Sequence, residues 1–398
     1  MSLDEAALIA DVRSRLFAPS SDSRTVGAEL ELIPRYATTN APVPAGGHDS
    51  LSAVIREIAE SLEWREMESE AGPPAWDLPD GGRISFEPGG QIEISSPPLE
   101  SCSGLIQSLQ AVTSALTKSA CAHGIELLAT GVDPHNDIDA VPLQLVGDRY
   151  VRMNRYFAAR GKSGVRMMRQ TAALQISVEH GPNANERWTL LNALAPYLIA
   201  IFATSARYAG RDTGHASYRA HLWRELDPSR TGIPFDSSDA AARYARFALD
   251  AGAIRAESGT GEFHSFRSMI DDPSIGMSDW EFHLSTLFPE IRPKEYFEIR
   301  SLDAVPFADI AAPLTFVCGI VYDPEATREA VALLGSPDES LLRVAGEQGL
   351  GDPKINSISR ALVDVALAGA ARLPAEYLSP NDRRDATEWL REKVNRPQ

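Results

Sequence analysis

The run Arg83-Ile-Ser-Phe-Glu-Pro-Gly-Gly-Gln-Ile-Glu-Ile-Ser-Ser96 separates with a period of two. Ile84, Phe86, Ile92 and Ile94 fall on one face, and Glu87, Gln91, Glu93 and Ser95 on the other. Gly89 and Gly90 sit between the acids, where a bulge or a close approach would need them. Three other segments repeat the theme. Val26 to Leu32 carries Glu29 and Glu31 opposite an apolar set. Gly164 to Val178 reads as a strand with Arg169, Thr171, Gln175 and Ser177 on one face, and Glu295 to Arg300 pairs Glu298 with Arg300. Were these strands neighbours, Glu29, Glu31, Glu87, Glu93 and Glu298 would converge. Carboxylates that close repel one another, and some would hold protons unless a cation were present. An all-oxygen donor set selects Mg²⁺ or Mn²⁺, and Arg169 and Arg300 suit phosphate or carboxylate groups. Acids, metal and arginines together suit phosphoryl transfer.

The elements that would position these residues form no regular βαβ repeat. Helical patterns cover about 3–17, 50–63, 101–123, 186–208, 239–251 and 354–371, with strand segments scattered between them. The mixture predicts an α+β fold. The helix from Ser101 carries Leu105, Ile106, Leu109, Val112 and Leu116 as one stripe, and Gly124 is placed to end it. From about residue 325 the chain reads as helical, and the Ala-rich stretch 361–371 is expected to pack on the outside of a sheet. Residues 1–398 are read as one domain. The Pro- and Gly-rich stretches 34–49 and 69–82 are expected as loops at the site mouth, with another loop at 255–260.

The net charge of −17 and pI near 5.0 disfavour nucleic acid or an anionic membrane as partner. The most apolar stretch, 190–206, is interrupted by Asn192, Pro196 and Thr204, so a buried helix is expected rather than a membrane span. Cys102, Cys121 and Cys318 form no CxxC, and a reducing cytoplasm is the expected compartment. The chain has no P-loop, no GxGxxG after a strand, no HExxH and no GxSxG. A nucleotide here must be held by metals and arginines.

The same residues carry a resemblance. Glu87-Pro-Gly-Gly-Gln-Ile-Glu-Ile-Ser95 resembles the EPGGQ-x-E-[LI]-S signature of the second glutamate–cysteine ligase family, which includes plant enzymes and bacterial ergothioneine-pathway enzymes. Collinear matches are Val26 to Glu31, Gly147 to Phe157, Met167 to Ile176, Arg219 to Trp223 with Arg230 to Gly232, His283 to Arg292, and Glu298 to Pro306. The resemblance implies a glutamine-synthetase-like fold, in which a curved antiparallel sheet forms a funnel with helices outside. It implies ATP-dependent joining of the glutamate γ-carboxylate to the amine of cysteine, through an acyl phosphate, with ATP and Mg²⁺ (or Mn²⁺) required. Carried over by motif, Glu29, Glu31, Glu87, Glu93 and Glu298 look like metal ligands, and Arg300 and Glu87 like the catalytic pair. Arg300 and Gln175 look like ATP contacts, and Arg219 like the arginine holding the carboxylate of glutamate. Trp223, Arg230, Gln91, Gln175, Arg169 and Thr171 look like further substrate-side residues. His283 reads as a structural histidine. Gln170 stands where some relatives carry a thiol, and Ser177 and Glu179 where relatives often have Asn and Asp. The acceptor amine stays open, as does a catalytically silent member or a metal-dependent hydrolase on the same carboxylates.

Overall fold

A computed structural model describes residues 3–21, 23–69, 72–235, 238–254 and 264–396. The loop expected at 255–260 lies outside them. The central feature is an antiparallel sheet of nine strands among the described residues. In chain order the strands are β1 (Val26–Tyr36), β2 (Arg65–Met67), β3 (Ala75–Asp77), β4 (Arg83–Phe86), β5 (Ile92–Ser95), β6 (Ile125–Leu128), β7 (Ala173–Val178), β8 (Ile291–Pro293) and β9 (Phe297–Asp303). Across the sheet they run β8-β9-β7-β1-β5-β4-β3-β2, with β6 paired to the far end of β1. The strands of all four segments, three of which bear acids, are therefore neighbours, and registers such as Glu29 opposite both Gln175 and Ser95, and Glu31 opposite Glu93, set their polar residues on one face.

The alternation has a physical cause. Ala28, Leu30, Leu32, Ile84, Ile92, Ile94, Leu174, Ile176, Phe297 and Ile299 are all buried on the other face, and slipping the register by one residue would expose every one of them. Two helices cover that apolar face. α3 (Cys102–Ala122) is capped by Ser101, whose hydroxyl accepts from the Gly104 N–H, and it ends before Gly124 at φ +68°. Its residues Leu105, Ile106, Leu109 and Leu116 are buried, while Val112 is only partly so. α6 (Ala184–Ile201) is buried nearly all round and packs on β9. It stops at Ile201, short of the expected 208, because Thr204 and Ser205 turn aside to bind Asp303.

The helical C-terminal part begins earlier than expected, at α10 (Ala311–Tyr322), and continues through Pro324–Leu334, Ser340–Gln348, α13 (Pro353–Arg372) and Pro380–Asn395. The stretch 361–371 packs on α10 and not on the sheet. Gly319 and Gly369 permit this: a Cβ at either would lie 2.2 Å from a carbonyl oxygen of the facing helix. Among the described residues no single helix is long and apolar enough to cross a membrane. The stretch 69–82 is not all loop, since Ala75–Asp77 forms β3, and residues 34–36 of the other expected loop belong to β1.

Gly164 to Gln170 is a helix, α5 (Ser163–Gln170), and not the start of a strand. Its buried Gly164, Val165, Met167 and Met168 follow helical spacing, a period the strand reading passed over. α4 (Asp148–Ala158) precedes it and α7 (Tyr218–Glu225) packs on it; together they roof the polar face of the sheet.

Candidate active site

β4 and β5 are joined by a three-residue turn. The Glu87 N–H donates to Gln91 O and the Gly90 N–H to Glu87 O, both at 2.8 Å, and Gly90 has φ +91°. Pro88 suits the first position, and glycine suits the left-handed one. Gly89 is required for another reason: a Cβ there would lie 1.9 Å from the carbonyl oxygen of Arg169. Gln91 locks the turn, its Oε1 accepting from the Gly89 N–H at 2.9 Å and its Nε2 donating to Thr171 O at 2.8 Å. Glu87, at the start of the turn, and Glu93, on β5, are thereby held close to each other.

The polar face carries two charge environments. At one end, carboxylate oxygens of Glu31, Glu87 and Glu93 lie within 4.8 Å of one another. Burial, then mutual repulsion, pushes Glu31 and Glu93 up to about 8 and Glu87 up to about 7. Glu29, next along β1, is pushed up to about 7 by burial and by Glu93 and Glu298. Ser85 and Ser95 donate to Glu93, and Gln175 Nε2 and the Ala173 N–H donate to Glu31, so the acids are oriented but not neutralised. Three clustered oxygen donors in excess of local positive charge fit a hard divalent cation.

At the other end the sign reverses. Glu298 is fully buried and lies 2.6 Å from Arg300, 2.5 Å from Lys294 and 3.5 Å from Arg292. Against the cost of burial these cations bring its carboxyl down to about 2. A polar row joins the two ends: Glu31 to Gln175 Nε2 at 2.8 Å, Gln175 Oε1 to Arg300, and Arg300 to Glu298. Arg219 and Trp223 close the cleft from α7, the guanidinium 4.5 Å above the indole. Tyr150, Met153, Met167, Met168 and Phe288 supply an apolar wall.

Comparison with known proteins adds a family to this geometry. The model of glutamate-cysteine ligase family 2 (GCS2) matches residues 25–371. The chain belongs to glutamate–cysteine ligase family 2. It is 33% identical to glutamate–cysteine ligase EgtA of Mycolicibacterium smegmatis, over 88% of this chain and 81% of that protein. It is 31% identical to the chloroplastic glutamate–cysteine ligase of Arabidopsis thaliana, over 79% of this chain and 62% of that one. In fold it is similar to the solved glutamate–cysteine ligase of Francisella tularensis in complex with AMP, with a TM-score of 0.55 at 12% identity, covering 94% of this chain and 82% of that one. The α+β, glutamine-synthetase-like architecture expected from the sequence is the one observed.

Within this family frame, the structure sorts the expected site residues. Glu29, Glu31, Glu87, Gln91, Glu93, Thr171, Gln175, Arg219, Trp223, Glu298 and Arg300 all line one cleft. Glu298 stands with the cations and apart from the three clustered acids. Gln91 and Thr171 spend their hydrogen bonds on the scaffold, the Thr171 hydroxyl donating to Met167 O at 2.6 Å. Arg169 does not line the cleft, because helix α5 replaces the expected strand; what it brings near the site is its carbonyl, against Gly89. Arg230 does not line it either. It is fully buried, paired to Asp227 at 2.9 Å and donating to Thr286 O and Gly252 O. His283 is buried with Nε2 2.7 Å from Ala248 O and is pushed down to about 3 by burial, as befits a structural histidine.

Sequence reasoning missed Arg149, Arg292 and Lys294, which also line the cleft. Arg292 and Lys294 are on and just after β8, which pairs with β9. The signal was available, since Arg292 closes one of the family-like motifs and Lys294 lies four residues before Glu298.

Proposed function

We propose that this chain catalyses ATP-dependent joining of the γ-carboxylate of glutamate to the amine of cysteine, giving γ-glutamylcysteine, ADP and phosphate. Family membership across residues 25–371 is the observation that carries the reading. The charge-divided cleft supports it: acids fit for a divalent cation at one end, arginines and lysine at the other.

Glu29, Glu31, Glu87 and Glu93 would hold Mg²⁺, which when bound offsets the triphosphate charge. Arg300, Lys294 and Arg292 face the transferring phosphoryl group and balance the charge that spreads over its oxygens. Glu298 keeps these three cations together in a site where they would otherwise repel. Arg219 holds the α-carboxylate of glutamate, braced on Trp223. A γ-carboxylate oxygen attacks the γ-phosphorus, and the bond to the ADP oxygen breaks. The acceptor amine then attacks the acyl carbon and phosphate leaves. Activation is necessary because a carboxylate at neutral pH is a poor electrophile. The apolar wall of Tyr150, Met153, Met167, Met168 and Phe288 excludes water from the acyl phosphate and gives a soft, thiol-bearing side chain a place to sit.

We take residues 1–398 as one catalytic domain, the helices from Ala311 onward packing on one another and on the helices that cover the sheet, with none of their described residues lining the cleft. Three free cysteines support a reducing compartment such as the cytoplasm. The partners are glutamate, cysteine and ATP.

The test is phosphate release from Mg·ATP with glutamate, scanned over amino acids and simple amines. Release with cysteine, and a product of γ-glutamylcysteine mass, is expected. Release only with another amine moves the acceptor; release without any amine indicates a hydrolase, and none at all a silent member.

A further inference from the structure

Asp303 ends β9, three residues beyond Arg300, and is buried. Its Oδ2 accepts from the Thr204 N–H at 2.9 Å and the Ser205 hydroxyl at 2.7 Å, and its Oδ1 from the Ser217 hydroxyl at 3.0 Å. Ser217 is the N-cap of α7, accepting in turn from the Ala220 N–H at 3.1 Å, and Ser205 accepts from the Arg219 N–H at 3.2 Å. Gly131 leaves room for this carboxylate: a Cβ there would lie 2.3 Å from Asp303 Cγ. The carboxylate therefore fixes the start of the helix that carries Arg219.

The spacing to the arginine itself is the informative part. Arg219 Nη1 is 3.9 Å from Asp303 Oδ1, well beyond the ~2.8 Å of a charge-assisted hydrogen bond. Hydroxyl and amide donors already occupy the carboxylate, so it steers the guanidinium without engaging it. Arg219 Nη2 donates to Arg300 O at 2.8 Å, which ties it to the strand of the phosphate-side arginine. Its Nε is buried with no hydrogen-bond partner among the described residues. An arginine held in place, counter-charged at a distance, with donor capacity unspent and its side chain lining the cleft, can receive an anion.

We propose that Asp303 is a positioning residue that holds Arg219 aimed at the carboxylate of the amino-acid donor, in register with Arg300. This rests on the reading of Arg219 as the glutamate contact. The experiment compares wild type with Asp303→Asn, Arg219→Lys and the double variant. It measures L-glutamate and Mg·ATP affinities by calorimetry, the KM of each substrate, and melting temperature. Asp303→Asn keeps the shape and one acceptor oxygen, so it is expected to melt near wild type. Its affinity for glutamate should fall about tenfold, equal to about 1.4 kcal/mol, with KM for glutamate rising in parallel. ATP affinity should stay within about twofold. The double variant should be no worse for glutamate than Arg219→Lys alone, because both changes break one unit. Should Asp303→Asn fail to fold, the milder Ser205→Ala decides: it removes one donor to Asp303 and should shift KM for glutamate upward while sparing ATP. Equal loss for both substrates, additive effects in the double variant, or a wild type that binds no glutamate would overturn the assignment. A wild type that binds glutamate but turns over no amine would sink the ligase reading and leave Asp303 to be judged on glutamate binding alone.

Discussion

Two glutamates that look alike in sequence, Glu87 and Glu298, have opposite electrostatic roles, and substitution separates them. Glu87 is pushed up to about 7 by burial and by Glu31, so in metal-free protein Glu87→Gln relieves repulsion. Turnover should vanish, while the melting temperature without Mg²⁺ stays level or rises. Glu298 counters Arg300, Arg292 and Lys294, and Glu298→Gln strands three part-buried cations. It should abolish turnover and also destabilise the fold, by less than the ~3 kcal/mol of a fully buried pair, measurable by denaturant unfolding. Equal stability of the two variants would contradict this division. The pH dependence follows from the same acids. Glu31 and Glu93 have folded-state values near 8, well above the unfolded 4.5, so the folded state holds extra protons between those limits. Their contribution to stability is fully present below about pH 4.5 and is lost as pH rises toward 8. Mg²⁺ must displace those protons. The rise in melting temperature caused by saturating Mg²⁺ should therefore be larger at pH 8 than at pH 6, with proton release on binding at the lower pH; a shift independent of pH would refute it. The acids were legible because alternation in Val26 to Leu32 and Arg83 to Ser96 separates faces without any knowledge of strand order. Lys294 was missed although it lies four residues before Glu298, because that spacing becomes a contact only when β8 turns back beside β9.

At the scale of elements, the hairpin turn and one helix crossing are set by glycines whose neighbours leave no room. Gly89→Ala would drive a methyl into the Arg169 carbonyl, forcing the Glu87–Gly90 turn away from α5. Overpacking of this kind costs about 1–3 kcal/mol. Because it moves Glu87, activity should fall by more than the stability loss explains, read as kcat well below the melting range. Gly319→Ala, between α10 and α13, should cost a similar amount of stability yet leave kcat and both KM values unchanged at low temperature, since that contact lies behind the sheet. Long helices such as α3 could be read from stripe and cap. α5 could not, since Arg169, Thr171 and Gln175 alternate well enough to extend the following strand backward. What decides for helix is the apolar cluster that Met167 and Met168 share with Met153 and Phe157 of α4, which the run 164–178 alone does not show.

For the whole molecule, the α+β class followed from the pattern, while the adjacency of the acid-bearing strands was a supposition that only three-dimensional pairing, and the strand order it sets, supplies. The order matters beyond catalysis. β1 begins at Val26, its partner β7 at Ala173, and β7's other partner β9 at Phe297. The cleft is therefore closed by pairings that span most of the chain, the kind that form slowly because a long loop must be ordered first. During synthesis, the acids of the first hundred residues leave the ribosome long before Lys294, Glu298, Arg300 and Asp303. An incomplete chain thus owns the repelling half of the site without the half that balances it. Divalent cations in the cell should act on this intermediate as well as on the finished enzyme, shielding the early strands until the last one arrives.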